Sequence, residues 1–148
     1  MARLRLVEST ATRDEIRVLV VDDHDLIRIG LMDILDMVPD MRPVGQTGNG
    51  QEALDLVDRT DPDVVVTDVT MPLLSGIDVT RRLVTGGTSA RILVHSGDTR
   101  PDMVDAARAA GASGYLFKRG RIVTLLDAIR SVHAGDPVWP TLASQVAE

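Results

Sequence analysis

Ile16-Arg17-Val18-Leu19-Val20-Val21-Asp22-Asp23 and Val64-Val65-Val66-Thr67-Asp68 are the two stretches that decide the fold. Each is an apolar, β-branched run that stops at a carboxylate. Runs of this kind read as strands buried on both faces, the pattern of a parallel sheet covered by helices. Side by side, they bring three acids to one sheet edge. Uncompensated, those acids repel and at least one is pushed toward its protonated form. A hard divalent cation, a phosphoryl group or both would answer that need.

Outward from these strands, the chain alternates strand and helix with short connections. Leu26, Ile27, Ile29, Leu31, Ile34, Leu35 and Val38 form a helical stripe that Asp25 is placed to cap and Pro39 to end. Arg42 to Thr47 reads as a short second strand. Asn49 with Glu52 resembles a capping box before a helix that closes ahead of Asp61-Pro62. Ser75 with Asp78 opens a third helix, terminated by Gly86-Gly87. Arg91 to His95 gives a fourth strand, Pro101 to Ala110 an alanine-rich helix, and Tyr115 to Phe117 the core of a fifth strand. Ile122, Val123, Leu125, Leu126, Ile129 and Val132 stripe a last helix that runs to about His133. The repeats imply an α/β fold, a doubly wound five-stranded parallel sheet with helices on both faces. Ligands in such folds sit at the carboxyl ends of the strands. Residues 1–15 read as a loose N-terminal extension, 16–134 as one domain, and 135–148 as a linker or the start of a C-terminal helix, with Trp139 as its anchor.

Composition narrows the function classes. The chain has 148 residues and a formal charge of −6, which disfavours direct binding to nucleic acid because phosphate recognition needs a clustered basic face. It contains no cysteine, so thiol catalysis, disulfides and thiolate metal sites are excluded. No apolar run suits a signal peptide or a membrane span, so a cytoplasmic protein is expected. Lys118 is the one lysine beside fifteen arginines. Gly45-Gln46-Thr47-Gly48-Asn49-Gly50 lacks the spacing of a dinucleotide fingerprint and reads as turn chemistry.

At the strand ends stand Asp22 and Asp23, Asp68, Ser96 and Lys118. Their types and order resemble the receiver domain of two-component response regulators, over roughly Ile16 to His133. Asp22-Asp23 resembles the family's acidic pair, Asp68-Val69-Thr70-Met71-Pro72 its phosphoacceptor loop, Ser96 its switch hydroxyl, Tyr115 its switch aromatic and Lys118 its lysine. Asp22-Asp23-His24 followed by Arg28-Ile29-Gly30-Leu31 is similar, more narrowly, to the subgroup that carries a LuxR-like helix-turn-helix output. Two departures stand out: Arg119 follows Lys118 where the family often has proline, and Ser96 replaces the more frequent threonine.

The resemblance implies a flavodoxin-like strand order, 2-1-3-4-5, and a switch that accepts a phosphoryl group on Asp68 from a sensor histidine kinase with Mg2+ bound. The metal set would be Asp22, Asp23, Asp68 and the carbonyl of Thr70, while Asp68, Lys118 and Ser96 would carry the phosphoryl chemistry. Ser96 would then turn toward the phosphoryl group and Tyr115 fill the space it leaves. Homodimerisation on phosphorylation, and contact with DNA only through a C-terminal domain absent from this chain, follow as expectations. Asp98 is placed to influence hydrolysis of the acyl phosphate. His24 reads as a peripheral residue, His95 and His133 as strand and helix-end residues. The rival readings are a receiver-like interaction module that acts without phosphorylation and a small aspartyl-phosphate phosphohydrolase. The latter usually needs a second acid where Thr70 stands.

Overall fold

The computed structural model describes residues 14–141. Five strands, β1 (Ile16–Val21), β2 (Met41–Thr47), β3 (Val64–Thr67), β4 (Arg91–Ser96) and β5 (Gly114–Phe117), form one parallel sheet in the order β2-β1-β3-β4-β5. Five helices connect and cover them: α1 (Asp25–Met37), α2 (Gly50–Thr60), α3 (Gly76–Thr85), α4 (Pro101–Ala110) and α5 (Ile122–His133). This is the flavodoxin-like strand order that the resemblance implied. Among the described residues, no helix is long and apolar enough to cross a membrane.

Alternation along the strands divides the core into two layers, because successive side chains point to opposite faces. Val18, Val20, Val64, Val66 and Leu93 pack under α1 and α5 with Leu31, Leu35, Leu125 and Ile129. Leu19, Val21, Val65 and Ile92 pack on the other face with Ala53, Val57, Val79 and Leu83 from α2 and α3. Near α4 that face continues through Val94, Val104, Ala107, Tyr115 and Phe117. The central strands have both faces covered, so they carry no polar alternation. Pro43 sits in β2 at the sheet edge, where a missing N–H is tolerated. Beside it the register slips by one residue, with Val18 opposite Pro43 and Leu19 opposite Gly45.

Helix starts follow local chemistry, through a side-chain cap in two cases and through a turn ahead of the cap in a third. Asn49 Oδ1 accepts from the amides of Gln51 and Glu52 at 2.8 and 3.3 Å, and Ser75 Oγ from the amide of Asp78 at 3.1 Å. The expected Asp25 cap of α1 is not found. His24 is the N-cap and uses no side-chain cap bond, while Asp25 lies inside the first turn and pairs with Arg28 at 2.8 Å. The turn is set instead by Asp22, whose Oδ1 accepts the His24 amide at 2.9 Å.

After α5 the chain returns along the open edge of β5. The Tyr115 amide donates to the Val138 carbonyl at 2.8 Å and Val138 bridges Gly114. Trp139 packs against the cluster that holds Tyr115 and Phe117, with the Arg108 guanidinium 4.5 Å from its ring. The Lys118–Arg119 peptide is trans. Most of the expected N-terminal extension, and residues 142–148 of the expected C-terminal helix, lie outside the described residues.

Candidate functional site

Backbone bonds that extend the sheet ladders beyond the strand ends place the acids and the lysine. The Asp22 amide donates to Thr47 O at 2.9 Å, the Asp68 amide to Val21 O at 2.9 Å, and the Lys118 amide to Ser96 O at 2.9 Å. Each functional residue is therefore the first one past its strand, fixed against the neighbouring strand. Their side chains converge above the carboxyl edge of the sheet.

Asp68 and Asp22 are both buried, at 4% and 2% exposure. Lys118 Nζ stands 2.8 Å from Asp22 Oδ2 and 3.1 Å from Asp68 Oδ2. Asp68 Oδ1 accepts the amide of Val69 at 2.7 Å. Burial alone would raise the Asp22 pKa, but hydrogen bonds from Lys118 and His24 outweigh it and hold the carboxyl below the usual range. The protonated acid expected of an uncompensated cluster is thus averted at Asp22 by its two cationic or hydrogen-bonding neighbours.

His24 has a more central place than the sequence suggested. Its Nδ1 lies 2.8 Å from Asp22 Oδ1, 3.3 Å from Asp23 Oδ1, 3.4 Å from Asp68 Oδ2 and 3.4 Å from Lys118 Nζ. Ligand atoms from Asp22, Asp23, His24 and Asp68 all lie within 4.8 Å of one another. Such a donor set suits a divalent cation.

The other named residues stand around this core. Ser96, buried, uses Oγ to accept the Asp98 amide at 3.1 Å. The Tyr115 ring is packed inside, at 1% exposure, and its hydroxyl donates to the Asp98 carbonyl at 2.7 Å. Burial pushes that hydroxyl up to about 12. Asp98 itself is engaged by Arg100 at 2.7 Å, which holds its carboxyl below the ordinary range. Thr70 is exposed in the loop after Asp68. The structure thus brings Asp22, Asp23, Asp68 and Lys118 together, with Ser96 and Tyr115 joined to one another through the Asp98 backbone.

Two supporting residues were not anticipated. Arg28 Nη1 donates to the Asp22 carbonyl at 2.7 Å and Nε to Gln46 Oε1 at 2.9 Å, which ties the acidic turn to α1 and β2. The spacing of Asp25 and Arg28 on one helix face was the available signal. Gly76 packs so closely on the carbonyl of Asp68 that a Cβ there would collide with it, and its amide donates to Val69 O at 2.8 Å. A glycine directly after the Ser75 cap was the only hint.

The chain matches the response regulator receiver domain family over residues 18–130. It is 36% identical over 124 residues to an uncharacterized transcriptional regulatory protein, YvfU, of Bacillus subtilis, covering 84% of this chain and 62% of that protein. It is 34% identical over 121 residues to the nitrate/nitrite response regulator NarL of Escherichia coli, covering 82% of this chain and 56% of NarL. The chain thus spans about three fifths of the length of these relatives. Its fold is similar to the receiver domain of a NarL regulator of Mycobacterium tuberculosis, with a TM-score of 0.80 and 30% identity, covering 82% of this chain and 98% of that one.

Proposed function

This chain belongs to the response regulator receiver domain family, of the LuxR/NarL type, and from that premise we propose that it is a switch in which Asp68 takes a phosphoryl group from a sensor histidine kinase. Receiver domains are signalling switches and not classical enzymes, so its own chemistry is confined to assisted phosphotransfer and slow self-dephosphorylation. The observation that carries this reading is the buried Asp68 carboxylate held 3.1 Å from the ammonium of the chain's one lysine.

An Asp68 oxygen attacks the phosphorus of a phosphohistidine. A P–O bond forms as the P–N bond breaks, and the departing imidazole nitrogen keeps the electron pair and is protonated from solvent. Lys118 pairs with the carboxylate before transfer and with phosphoryl oxygens after it, as a compact point charge. Oxygen donors from three carboxylates fit Mg2+, which takes one or two carboxylates together with waters and phosphate. Asp23 and Asp68 would hold it directly, Asp22 through water, and Thr70 by its carbonyl. When bound, the ion neutralises charge on the phosphoryl oxygens.

The response then runs through Ser96. Its oxygen accepts the Asp98 amide and its hydroxyl neighbours that of Tyr115, from which it would turn to give its proton to a phosphoryl oxygen. One such charge-assisted bond contributes about 1.5–3 kcal/mol, a bias of roughly ten- to a hundredfold. A near-complete flip needs about 5.5 kcal/mol. Ser96 alone therefore falls short, and Lys118, the metal and the loop amides supply the remainder. Loop 97–100 moves with Ser96 because Tyr115 and Ser96 both hold the Asp98 backbone.

The output is transcription control through a segment beyond this chain, in the cytoplasm, with pairing of two receivers on phosphorylation. Pairing through α1 and α5 is favoured over the α4–β5 side. Leu26, Ile29, Ile122 and Val123 are exposed on α1 and α5, whereas Val138 and Trp139 already lie along β5.

The test is intact mass after incubation with acetyl phosphate. Wild type is expected to gain one base-labile phosphoryl group with Mg2+ and far less without it, and Asp68→Asn none. No gain in either condition would favour an interaction module that acts without phosphorylation, and rapid turnover of unrelated phosphate esters would favour a phosphohydrolase.

A further inference from the structure

We propose that the groove between α1 and α5, at the end of β5, is a binding site for a small apolar carboxylic acid, with His95 as the polar group that meets its head. The site stands whether or not Asp68 takes a phosphoryl group.

Its position follows from the sheet. Leu93 belongs to the layer under α1 and α5, and His95, two residues further along β4, points to the same face. There it lines a groove of about 270 Å3 with Leu31 and Ile34 of α1, Leu116 of β5, and Ile122 and Leu125 of α5. The ring is the anomaly in this wall. It is 9% exposed, and its Nδ1 is buried with no hydrogen-bond partner. Buried polar atoms are nearly always paired, so one left open beside a cavity points to a partner from outside the chain. Rotation of the ring about its bond to Cβ exchanges the Nδ1 and Cδ2 edges and lets the nitrogen turn toward the groove.

The class of ligand follows from charge. The polar side chains of the groove, His95, Lys118 and Arg121, stand together at the carboxyl end of the sheet, where β4 and β5 stop and α5 begins. Among the described residues no carboxylate lines it, in a chain with 22 acids. α5 opens with no side-chain cap and no acid in its first turn, so its N-terminal amides favour a negative charge beside them. Lys118 spends its ammonium on Asp22 and Asp68, which makes it a wall common to the groove and the Asp68 site. Arg121, exposed at the mouth, is the cation on the open side. An anionic head therefore suits the polar end and an apolar body the space between the helices. At about 30 Å3 per atom, the share of a water in the liquid, 270 Å3 takes about nine non-hydrogen atoms, the size of benzoate.

Benzoate and its uncharged counterpart benzamide are the probes, added to the full chain and followed by heteronuclear NMR. Benzoate is expected to shift the methyl signals of Leu31, Ile34 and Leu125 and the ring signals of His95 saturably, and to bind about tenfold or more tightly than benzamide, as a charge-assisted hydrogen bond implies. His95→Leu should lose that preference. Gly30 also lines the groove and has open space around its Cβ position, so Gly30→Leu should fill it and abolish binding of both probes while the circular dichroism stays that of wild type. No saturable shift would overturn the site, and equal affinity for the two probes would overturn the acid as its ligand. Shifts confined to Arg121 and other surface cations would mean an adventitious additive only. Groove signals that respond to protein concentration and not to benzoate would assign the groove to a second copy of the chain and overturn the proposal.

Discussion

Lys118 reaches across β4 to Asp68: the lysine follows β5 and the acid follows β3, with Nζ 3.1 Å from Oδ2. The same ammonium is 2.8 Å from Asp22, beyond β3. One cation thus closes charges from three strand ends. Its removal leaves two buried carboxylates without their shared partner. Breaking a buried pair by deleting one member costs about 3–5 kcal/mol, and a divalent cation can replace the lost charge. Lys118→Ala should therefore melt well below wild type in a chelator, and Mg2+ should raise its melting temperature more than it raises that of wild type. Equal Mg2+ stabilisation of the two proteins in calorimetry would contradict this role.

His95 gives a pH dependence of stability with a definite sign. It faces the layer under α1 and α5, its Nδ1 is buried with no hydrogen-bond partner, and burial lowers its pKa from 6.5 to about 4, with the nearby Lys118 charge adding and Asp22 opposing. The folded protein keeps this ring neutral while the unfolded chain protonates it. Stability from this group is full above about pH 6.5 and falls as pH drops, levelling off near pH 4. At about 1.4 kcal/mol per unit, the loss is about 3 kcal/mol. Denaturant titrations from pH 7 to 4 should show this slope, and His95→Leu should flatten it. The lowered Asp22 pKa acts in a separate window, with its stability lost only as pH falls below the ordinary carboxylate value of 3.8.

Gly76 positions the loop that follows Asp68. A Cβ at this position would strike the Asp68 carbonyl oxygen, and backbone cannot yield as a flexible side chain does. Gly76→Ala is expected to displace the strand end, lower stability by about 1–3 kcal/mol and slow labelling by acetyl phosphate. Gly30→Ala, inside α1 with open space around its Cβ position, is the control and should leave labelling unchanged while raising stability by about 1 kcal/mol. Normal labelling of Gly76→Ala would contradict the argument.

Tyr115→Phe deletes the hydroxyl that fastens the loop after β4 through Asp98 O. The expected cost is about 1 kcal/mol of stability. Amide hydrogen exchange across residues 97–100 should quicken while that of β1 and β3 stays unchanged. Unaltered exchange in the loop would show that the ring alone holds it.

What could be read from sequence was what local chemistry decides. β3, a four-residue run of valines and threonine, begins and ends where its β-branched pattern does. α4 starts at Pro101 and ends before Gly111, whose φ of 101° suits glycine. The convergence of Asp22, Asp23, Asp68 and Lys118 followed from the rule that parallel strands deliver their ends to one side. Most of what escaped depends on partners distant in the chain. His24 turns inward because acids from β1 and β3 meet there, and no helical stripe announces that. The start of α1 escaped for a local reason, since Asp22 rather than Asp25 organises the turn from two residues before the cap. Val138 pairs with Gly114 because β5 has an open edge, a property of the assembled sheet. At that contact a Cβ on residue 114 would lie 2.6 Å from the Val138 carbonyl oxygen, so the glycine at the start of β5 marks the return of the chain only in retrospect.

On the proposed function, Asp68 and no other group in its crowded site takes the phosphoryl group. Borohydride reduction of the protein after acetyl phosphate treatment converts an aspartyl phosphate to homoserine, which peptide mass mapping locates. That conversion is expected at position 68 alone. Conversion at Asp22 or Asp23, or an acid-labile phosphoryl group on His24, would contradict it.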